Sequence, residues 1–218
     1  MISKRIFGKF KKVASDEKVD FNLNSIYKGH FDITYRGVPA IKCPFDYVIL
    51  QMILFEVKPD LIIEIGSSSG GTALYLADLM KLFDLKGEIH SIDVTDHAKK
   101  NIDHNPSIKF FDQGWENYDL KNAENFQKIL VIEDAVHSYE CTIGAMNKFA
   151  HLVSKDSYFI VEDGIVDALN MVHHFNGGPL RAIREFLPNN PDFYVERKWC
   201  DMFGKNATFN VNGYLKRR

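Results

Sequence analysis

Acidic side chains recur in this sequence at the ends of short apolar runs. "LIIEI" carries Glu64 and opens into "GSSSGGT"; "EIHSIDV" ends at Asp93. "IKFFDQGW" runs out through Asp112 to Trp115, "KILVIED" closes on Glu133 and Asp134, and "SYFIVEDG" closes on Glu162 and Asp163. One acid after a strand is ordinary, because strands stop in polar loops. Five in succession are hard to explain as solvation. They point to one shared site.

The glycine loop narrows what that site holds. A dinucleotide fingerprint is G-x-G-x-x-G, whose second glycine lets the backbone approach a pyrophosphate. Here Gly66, Gly70 and Gly71 are present, but Ser68 stands where that glycine belongs. A phosphate-binding P-loop requires lysine after its last glycine, and Thr72 stands there instead, which disfavours ATP and GTP. Glu64 adds a sign: a carboxylate aimed at the loop repels a pyrophosphate and suits a ligand with a positive end. Asp93, at the end of the next strand, can accept both hydroxyls of a ribose. A ribose nucleoside with a cationic amino-acid tail meets both conditions, and S-adenosylmethionine is such a ligand.

The elements that must position these residues follow from periodicity. Continuous apolar runs of four to six residues alternate with helical patterns: "PFDYVILQMILFEV", "GGTALYLADLMKLFD", "YECTIGAMNKFAHLV" and "PLRAIREFLP". Strands alternating with helices indicate an α/β fold with a doubly wound, mainly parallel sheet, whose ligands bind at the carboxyl ends of the strands. Pro44 opens the first long helix, and Lys58-Pro59 stops it. "DFYVERKW" and "ATFNVNGYL", with Gly204 between them, are expected to form an antiparallel hairpin at the sheet edge.

Composition sets the outer bounds. The chain has 218 residues, 45% of them hydrophobic, enough for one substantial core. A net charge of -2 gives no global pull toward nucleic acid. Cys43, Cys141 and Cys200 show no CxxC spacing, so a reducing, cytoplasmic setting is expected, with neither a zinc site nor a disulfide framework. No run is long enough to span a bilayer, and the basic start lacks the apolar core of a secretory signal. Ile2, Ile6, Phe10 and Val13 recur at helical spacing among Lys4, Arg5, Lys9, Lys11 and Lys12. Such a helix either lies on an anionic membrane surface or packs on the domain or a sister subunit.

"YRGVPAIKCPFD", "IIEIGSSSGGTALYLADL", "EDAVHSYE", "FIVEDG", "GGPLRAIREFLPNNPDF" and "ATFNVNGYLKR" together resemble the cephalosporin hydroxylase family, also described as rhamnosyl O-methyltransferase-like. The resemblance covers roughly residues 30 to 218. It implies a class I, Rossmann-like methyltransferase domain over 43–218 behind an N-terminal extension over 1–42. It also implies bound S-adenosylmethionine, Mg2+ or another divalent cation, and a homo-oligomer. Carried over by position, Glu64, Gly66, Ser68, Gly70 and Gly71 form the cofactor loop. Asp93 is the ribose acid, and Gln113 and Gly114 fall at the adenine. Asp134, Glu162 and Asp163 match the acids that hold magnesium, a cation content with a few carboxylates plus water. Asp134 also borders the cofactor and joins His137 as the catalytic pair.

His137 lies three residues after Asp134, where metal-dependent small-molecule O-methyltransferases place the base that deprotonates the acceptor. The alternatives are a cap on the following helix or the metal's outer shell. The implied activity is Mg-dependent O-methylation of a small molecule or sugar, in a glycan or a lipid-linked saccharide, with substrate loops near 14–42 and 164–178. Two other functions stay open: a hydroxylase-type biosynthetic step, and a non-catalytic cofactor-binding partner in an enzyme complex. His173 and His174 lack a third zinc ligand at standard spacing. Trp115 and Trp199 either stack on ligand or pack in the core, and Cys141 is read as a helix residue facing the core.

Overall fold

The computed structural model describes residues 15–218, so the amphipathic stretch through Ile2 and Val13 lies outside the described residues. The first regular element is helix α1 (Leu23–His30), capped by the Asn22 side chain, which accepts from the Ser25 N–H. A two-stranded ribbon follows, β1 (Thr34–Tyr35) and β2 (Val38–Pro39). Helix α2 (Pro44–Val57) begins on its proline and ends at Lys58, whose left-handed backbone turns the chain into the sheet.

The sheet then alternates with helices as expected: β3 (Leu61–Ile65), α3 (Gly71–Leu82), β4 (Glu88–Ile92), α4 (Lys99–Ile102), β5 (Ile108–Phe111), β6 (Ile129–Glu133), α5 (Tyr139–Phe149), β7 (Tyr158–Val161) and α6 (Gly178–Phe186). Three more elements complete it, β8 (Phe193–Val195), α7 (Arg197–Cys200) and β9 (Tyr214–Arg217). The seven strands run in the order β5-β4-β3-β6-β7-β9-β8. The first five are parallel, and β9 and β8 are antiparallel to their neighbours. β3, β6 and β7 are buried along their whole length, as a sheet covered on both faces requires. One core lies against α2 and α3, with Ile53, Leu54 and Leu76 fully buried. The other lies against α5 and α6, with Phe149, Phe159 and Phe186 at its centre.

Register explains why the acids meet. Ile65 pairs with both Ile92 and Glu133, Glu133 pairs with Val161, and Ile92 pairs with Phe111. The next residues along each strand, Asp112, Asp93, Gly66, Asp134 and Glu162, therefore form one row across the rim. The chain leaves β3 toward β4 and β5 and returns to β6 on its other side. The crevice opens at that switch point.

The expected hairpin is corrected in its bounds. Only Phe193–Val195 and Tyr214–Arg217 are strands. Arg197–Cys200 turns helical behind the Glu196 side chain, which accepts from the Lys198 N–H. The stretch before Tyr214 is held instead by Asp46 of α2, which is 1% exposed. Asp46 accepts from the Phe209 N–H at 3.0 Å, the Tyr214 hydroxyl at 3.0 Å and the Thr208 hydroxyl. Gly213 passes so close to Val161 that a Cβ there would lie 1.9 Å from its carbonyl oxygen. Trp199 goes to the core and donates to the Tyr158 hydroxyl at 3.0 Å. All three cysteines are free thiols, and among the described residues no helix is long and apolar enough to cross a membrane.

Gly71 controls how residues 39–42 lie over the sheet rim, since a Cβ there would sit 2.2 Å from the Pro39 carbonyl oxygen. Gly71→Ala is expected to cost about 1–3 kcal/mol through overpacking. Gly29→Ala, whose Cβ meets nothing within 4 Å in helix α1, should be neutral or mildly stabilising. Denaturant midpoints of the two variants check the contrast.

Candidate active site

The loop from β3 to α3 lies directly on the end of β6. Gly66 has φ 99°, and a Cβ on it would lie 2.1 Å from the Asp134 carbonyl oxygen, so no side chain fits. The Ser67 and Ser68 N–H groups donate to one carboxylate oxygen of Asp93 at 3.0 and 2.9 Å. The Val94 and Thr95 N–H groups donate to the other at 2.7 and 3.1 Å. Asp93 thus ties together the loops after β3 and β4 and borders a cavity.

That cavity has a volume of about 620 Å³. Of the residues expected at the cofactor, Gly66, Ser68, Asp93, Gly114 and Asp134 line it. Trp115 forms part of its wall and owes its slot to Gly144 of α5, where a Cβ would press on the indole at 2.6 Å. Four expected residues lie outside the lining. Gly70 and Gly71 start α3 and pack on Ile102 and Pro39. Gln113 is exposed and lines a separate hollow beside Asp112.

Glu64 is buried beneath the loop, where the Ser91 hydroxyl donates to it at 2.5 Å, and the Ser91 and Ser67 hydroxyls are 2.7 Å apart. Burial pushes its carboxyl up to about 7, against the Ser91 hydrogen bond and the charge of Lys42. Glu64 therefore lies outside the lining of the cavity.

The acids at the ends of β6 and β7 form a second feature. Asp134, His137 and Asp163 each offer a ligand atom, and these atoms all lie within 4.8 Å of one another. His137 Nε2 is 3.3 Å from an Asp163 carboxylate oxygen, while its Nδ1 is buried without a partner. His137 and Asp163 both hold left-handed backbone, at φ 55° and 54°, a conformation uncommon without glycine and a mark of a constrained site. The Asp163 N–H donates to the Asn210 side chain at 3.3 Å, fixing that turn to the C-terminal loop.

Glu162 stands apart from this trio. Its carboxylate accepts from the Lys42 ammonium, which also lies 3.3 Å from Asp134. Burial and repulsion by Asp163 push Asp134 up to about 7, against the pull of Lys42. Burial works against the Lys42 charge, but its two acid neighbours win and hold its pKa well above the usual lysine value. If Asp134, Glu162 and Asp163 are ionised, Lys42 offsets one of three negative charges, which leaves room for a divalent cation.

A second cavity, about 330 Å³, adjoins the first and shares Gly66, Ser68, Asp134 and Ala135 with it. His137 and Asp163 border this second space. Opposite them stand Tyr27, His30 and Phe31 from α1 and its end, with Met171 and Phe175 from the segment after β7. Both stretches fall in the regions expected to supply substrate loops. His173 and His174 are exposed and outside the lining.

Lys42 went unassigned on sequence grounds. The only signal was a single lysine in the otherwise apolar "VPAIKCPF". The aromatic wall also lacked a motif.

Glu64 gives a signed pH prediction. Unfolded, it ionises near 4.5; folded, near 7. Between those values the folded state binds more protons, so this residue's contribution to stability falls as pH rises. Glu64→Gln removes that slope, and its stability relative to the unaltered chain should rise by about 2–3 kcal/mol from pH 5 to pH 8 without ligand. Denaturant unfolding at the two pH values checks this; a difference that does not change with pH refutes it.

Residues 27–218 match the family model described as Rhamnosyl O-methyltransferase/CmcI. A rhamnosyl O-methyltransferase of Mycobacterium leprae is 31% identical over 206 residues, covering 88% of this chain and 87% of the relative. One of Mycobacterium tuberculosis is 29% identical over 199 residues, 84% and 78% of the two chains. Among solved structures, cmcI with SAH matches with a TM-score of 0.67 at 20% identity, over 94% of this chain and 96% of that one. A Mg-SAM structure of cmcI gives 0.63 at 21%, over 94% and 88%. An O-methyltransferase from Bacillus cereus in complex with SAH gives 0.54 at 18%, over 82% and 84%. The solved structures agree with the parallel sheet and its antiparallel edge. The sequence match over nearly the whole chain goes further: the protein belongs to the Rhamnosyl O-methyltransferase/CmcI family of class I methyltransferases.

Proposed function

We propose that the protein transfers the methyl group of S-adenosylmethionine to a hydroxyl of a saccharide, with a divalent cation such as Mg2+ at the acid cluster. The observation that carries this is the junction of two cavities. The nucleoside-sized one and the aromatic-walled one meet along Gly66, Ser68, Asp134 and Ala135. Asp134 stands at that junction, and His137 and Asp163, whose ligand atoms lie within 4.8 Å of its own, line the aromatic-walled side. The names of the relatives support a rhamnosyl acceptor, and the Mg-SAM structure of cmcI supports the pair of cofactors.

The residues fit both groups. The backbone of Gly66 and Gly114 forms part of the cavity lining, Asp93 stands beside it with its carboxylate accepting four backbone N–H groups, and Trp115 offers a stacking face. Three carboxylates with a single ammonium suit a hard divalent ion. When bound, S-adenosylmethionine supplies an electrophilic methyl on a sulfonium, and the cation polarises the acceptor hydroxyl and lowers its pKa. Asp134 and Asp163 would hold the cation at the cavity junction. Tyr27, Phe31 and Phe175 offer apolar faces to a sugar ring and exclude water beside it. His137 would accept the hydroxyl proton at Nε2, and the Asp163 carboxylate 3.3 Å away would stabilise the imidazolium so formed.

Radiolabelled methyl transfer to rhamnosyl glycosides, with and without chelator, tests the proposal. Asp163→Ala is expected to abolish the metal-dependent rate; metal dependence that survives both this change and Asp134→Ala refutes the cation assignment. His137→Gln should lower kcat by about 100-fold or more. Its Mn2+ affinity should stay within about three-fold of the unaltered chain. A matching fall in Mn2+ affinity would make His137 a ligand instead of the base.

A further inference from the structure

The aromatic-walled cavity has two unlike sides. One carries Asp134, His137 and Asp163. The other carries Tyr27, His30 and Phe31, from α1 and its end, with Met171 and Phe175. That second side is apolar except at two side chains. The Tyr27 hydroxyl donates to the Met171 sulfur at 3.8 Å. The other is His30, which no step of the proposed reaction uses.

His30 is 6% exposed, and aromatic rings cage it. The centroids of Phe31, Tyr27 and Phe209 lie 4.0, 4.9 and 5.2 Å from its own. Phe209 is itself held at both backbone groups. Its N–H donates to Asp46 at 3.0 Å, and its carbonyl accepts from the Ile165 N–H at 2.9 Å. Inside the cage, Nδ1 of His30 contacts the Tyr27 carbonyl three residues earlier. A carbonyl oxygen can only accept, so Nδ1 carries the proton, and in the neutral ring Nε2 keeps its lone pair. Among the described residues Nε2 has no hydrogen-bond partner. Unlike Nδ1 of His137, it is not sealed from open space, and the open space that His30 borders is this cavity. A phenylalanine would fill the same cage without an acceptor atom to satisfy.

We infer that His30 is a specificity-determining residue whose Nε2 accepts a hydrogen bond from an acceptor hydroxyl other than the one methylated. This rests on the saccharide acceptor proposed above and deepens it, by naming the group that senses which hydroxyls the sugar carries. With one hydroxyl at the acid side and a second at His30, the sugar ring lies in one register across the cavity. Apolar faces exclude water but cannot sense a missing hydroxyl. A buried acceptor atom rejects an analogue that leaves it unpaired.

The test is methyl transfer from radiolabelled S-adenosylmethionine, with Mg2+, to methyl α-L-rhamnoside and its three mono-deoxy ring analogues. Two of these analogues keep the methylated hydroxyl. With the unaltered chain, one of the two should fall about ten-fold or more in kcat/KM, and the other by less than about three-fold. His30→Phe should lower kcat/KM for the parent rhamnoside by about ten-fold, chiefly through KM, and leave the rejected analogue within about three-fold, so the selectivity disappears. His30→Gln can place its amide near the Nε2 position and should keep the selectivity. His30→Asn reaches only the Nδ1 position and should lose it. Affinity for S-adenosylmethionine, read by calorimetry, should stay within about three-fold in every variant, because His30 does not line the nucleoside cavity.

If His30→Phe lowers the parent and the rejected analogue alike, the ring only packs and the inference is overturned. An unchanged parent kcat/KM in that variant overturns it as well. Should His30→Phe fail to fold, the contrast between His30→Gln and His30→Asn decides, and selectivity kept by both or lost by both overturns it. An unaltered chain that tolerates both analogues within about three-fold overturns it without any variant. One that methylates none of the glycosides removes the acceptor reading itself, a failure visible before any variant is made.

Discussion

Carboxylates crowded at the ends of adjacent parallel strands are the constraint on which this structure turns. Register puts Asp134 beside Glu162 with no freedom to separate them, because Glu133 pairs directly with Val161. Burial and repulsion by Asp163 push Asp134 up to about 7, and burial and repulsion by Asp134 push Glu162 upward. The chain offsets this with one lysine delivered from outside the sheet. Much of the surrounding architecture serves that delivery: the missing side chain at Gly71, the proline that starts α2, and the anchor at Asp46. In the proposed reading, charge left over at the rim attracts a cation, and the cation would define where an acceptor hydroxyl stands.

The switch point supplies the second half of the site. β3 and β6 are neighbours in space but far apart in sequence, and their loops meet where Gly66 lies on the Asp134 carbonyl. One side of that contact opens to the nucleoside-sized cavity and the other to the aromatic-walled one. Asp134 borders both; in the proposed reading this single residue lies between the methyl donor on one side and the oxygen acceptor on the other. In this family of methyltransferases the protein need supply little covalent chemistry, and holding two partners in line across such a junction is the larger part of the task.

The parallel core and the rim were legible because their signals are local. Continuous apolar runs ending in acids specify strands, and strands of equal length in a parallel sheet end together. The glycine loop was legible for the same reason, down to the serine that argued against a dinucleotide. Three features were not. The C-terminal strand was placed too early because "ATFN" alternates like a strand, while Asp46, some 160 residues earlier, holds it as a loop (a contact between Asp46 and Phe209 at sequence separation 163). Lys42 had no motif, since its value depends on two acids that only the fold brings to it. Glu64 was expected among the cofactor-binding residues of the loop, but its hydrogen bond to Ser91 on the neighbouring strand holds it beneath the loop. Each miss is a long-range polar contact, for which sequence spacing carries no signal.

The central claim is that the larger cavity is built for a ribose nucleoside with a cationic tail. Titration calorimetry of the purified chain with S-adenosylmethionine, with NAD as the comparison ligand, tests it most directly. The account predicts saturable one-to-one binding of S-adenosylmethionine and no measurable heat with NAD. Tight binding of NAD, with none of S-adenosylmethionine, would contradict it.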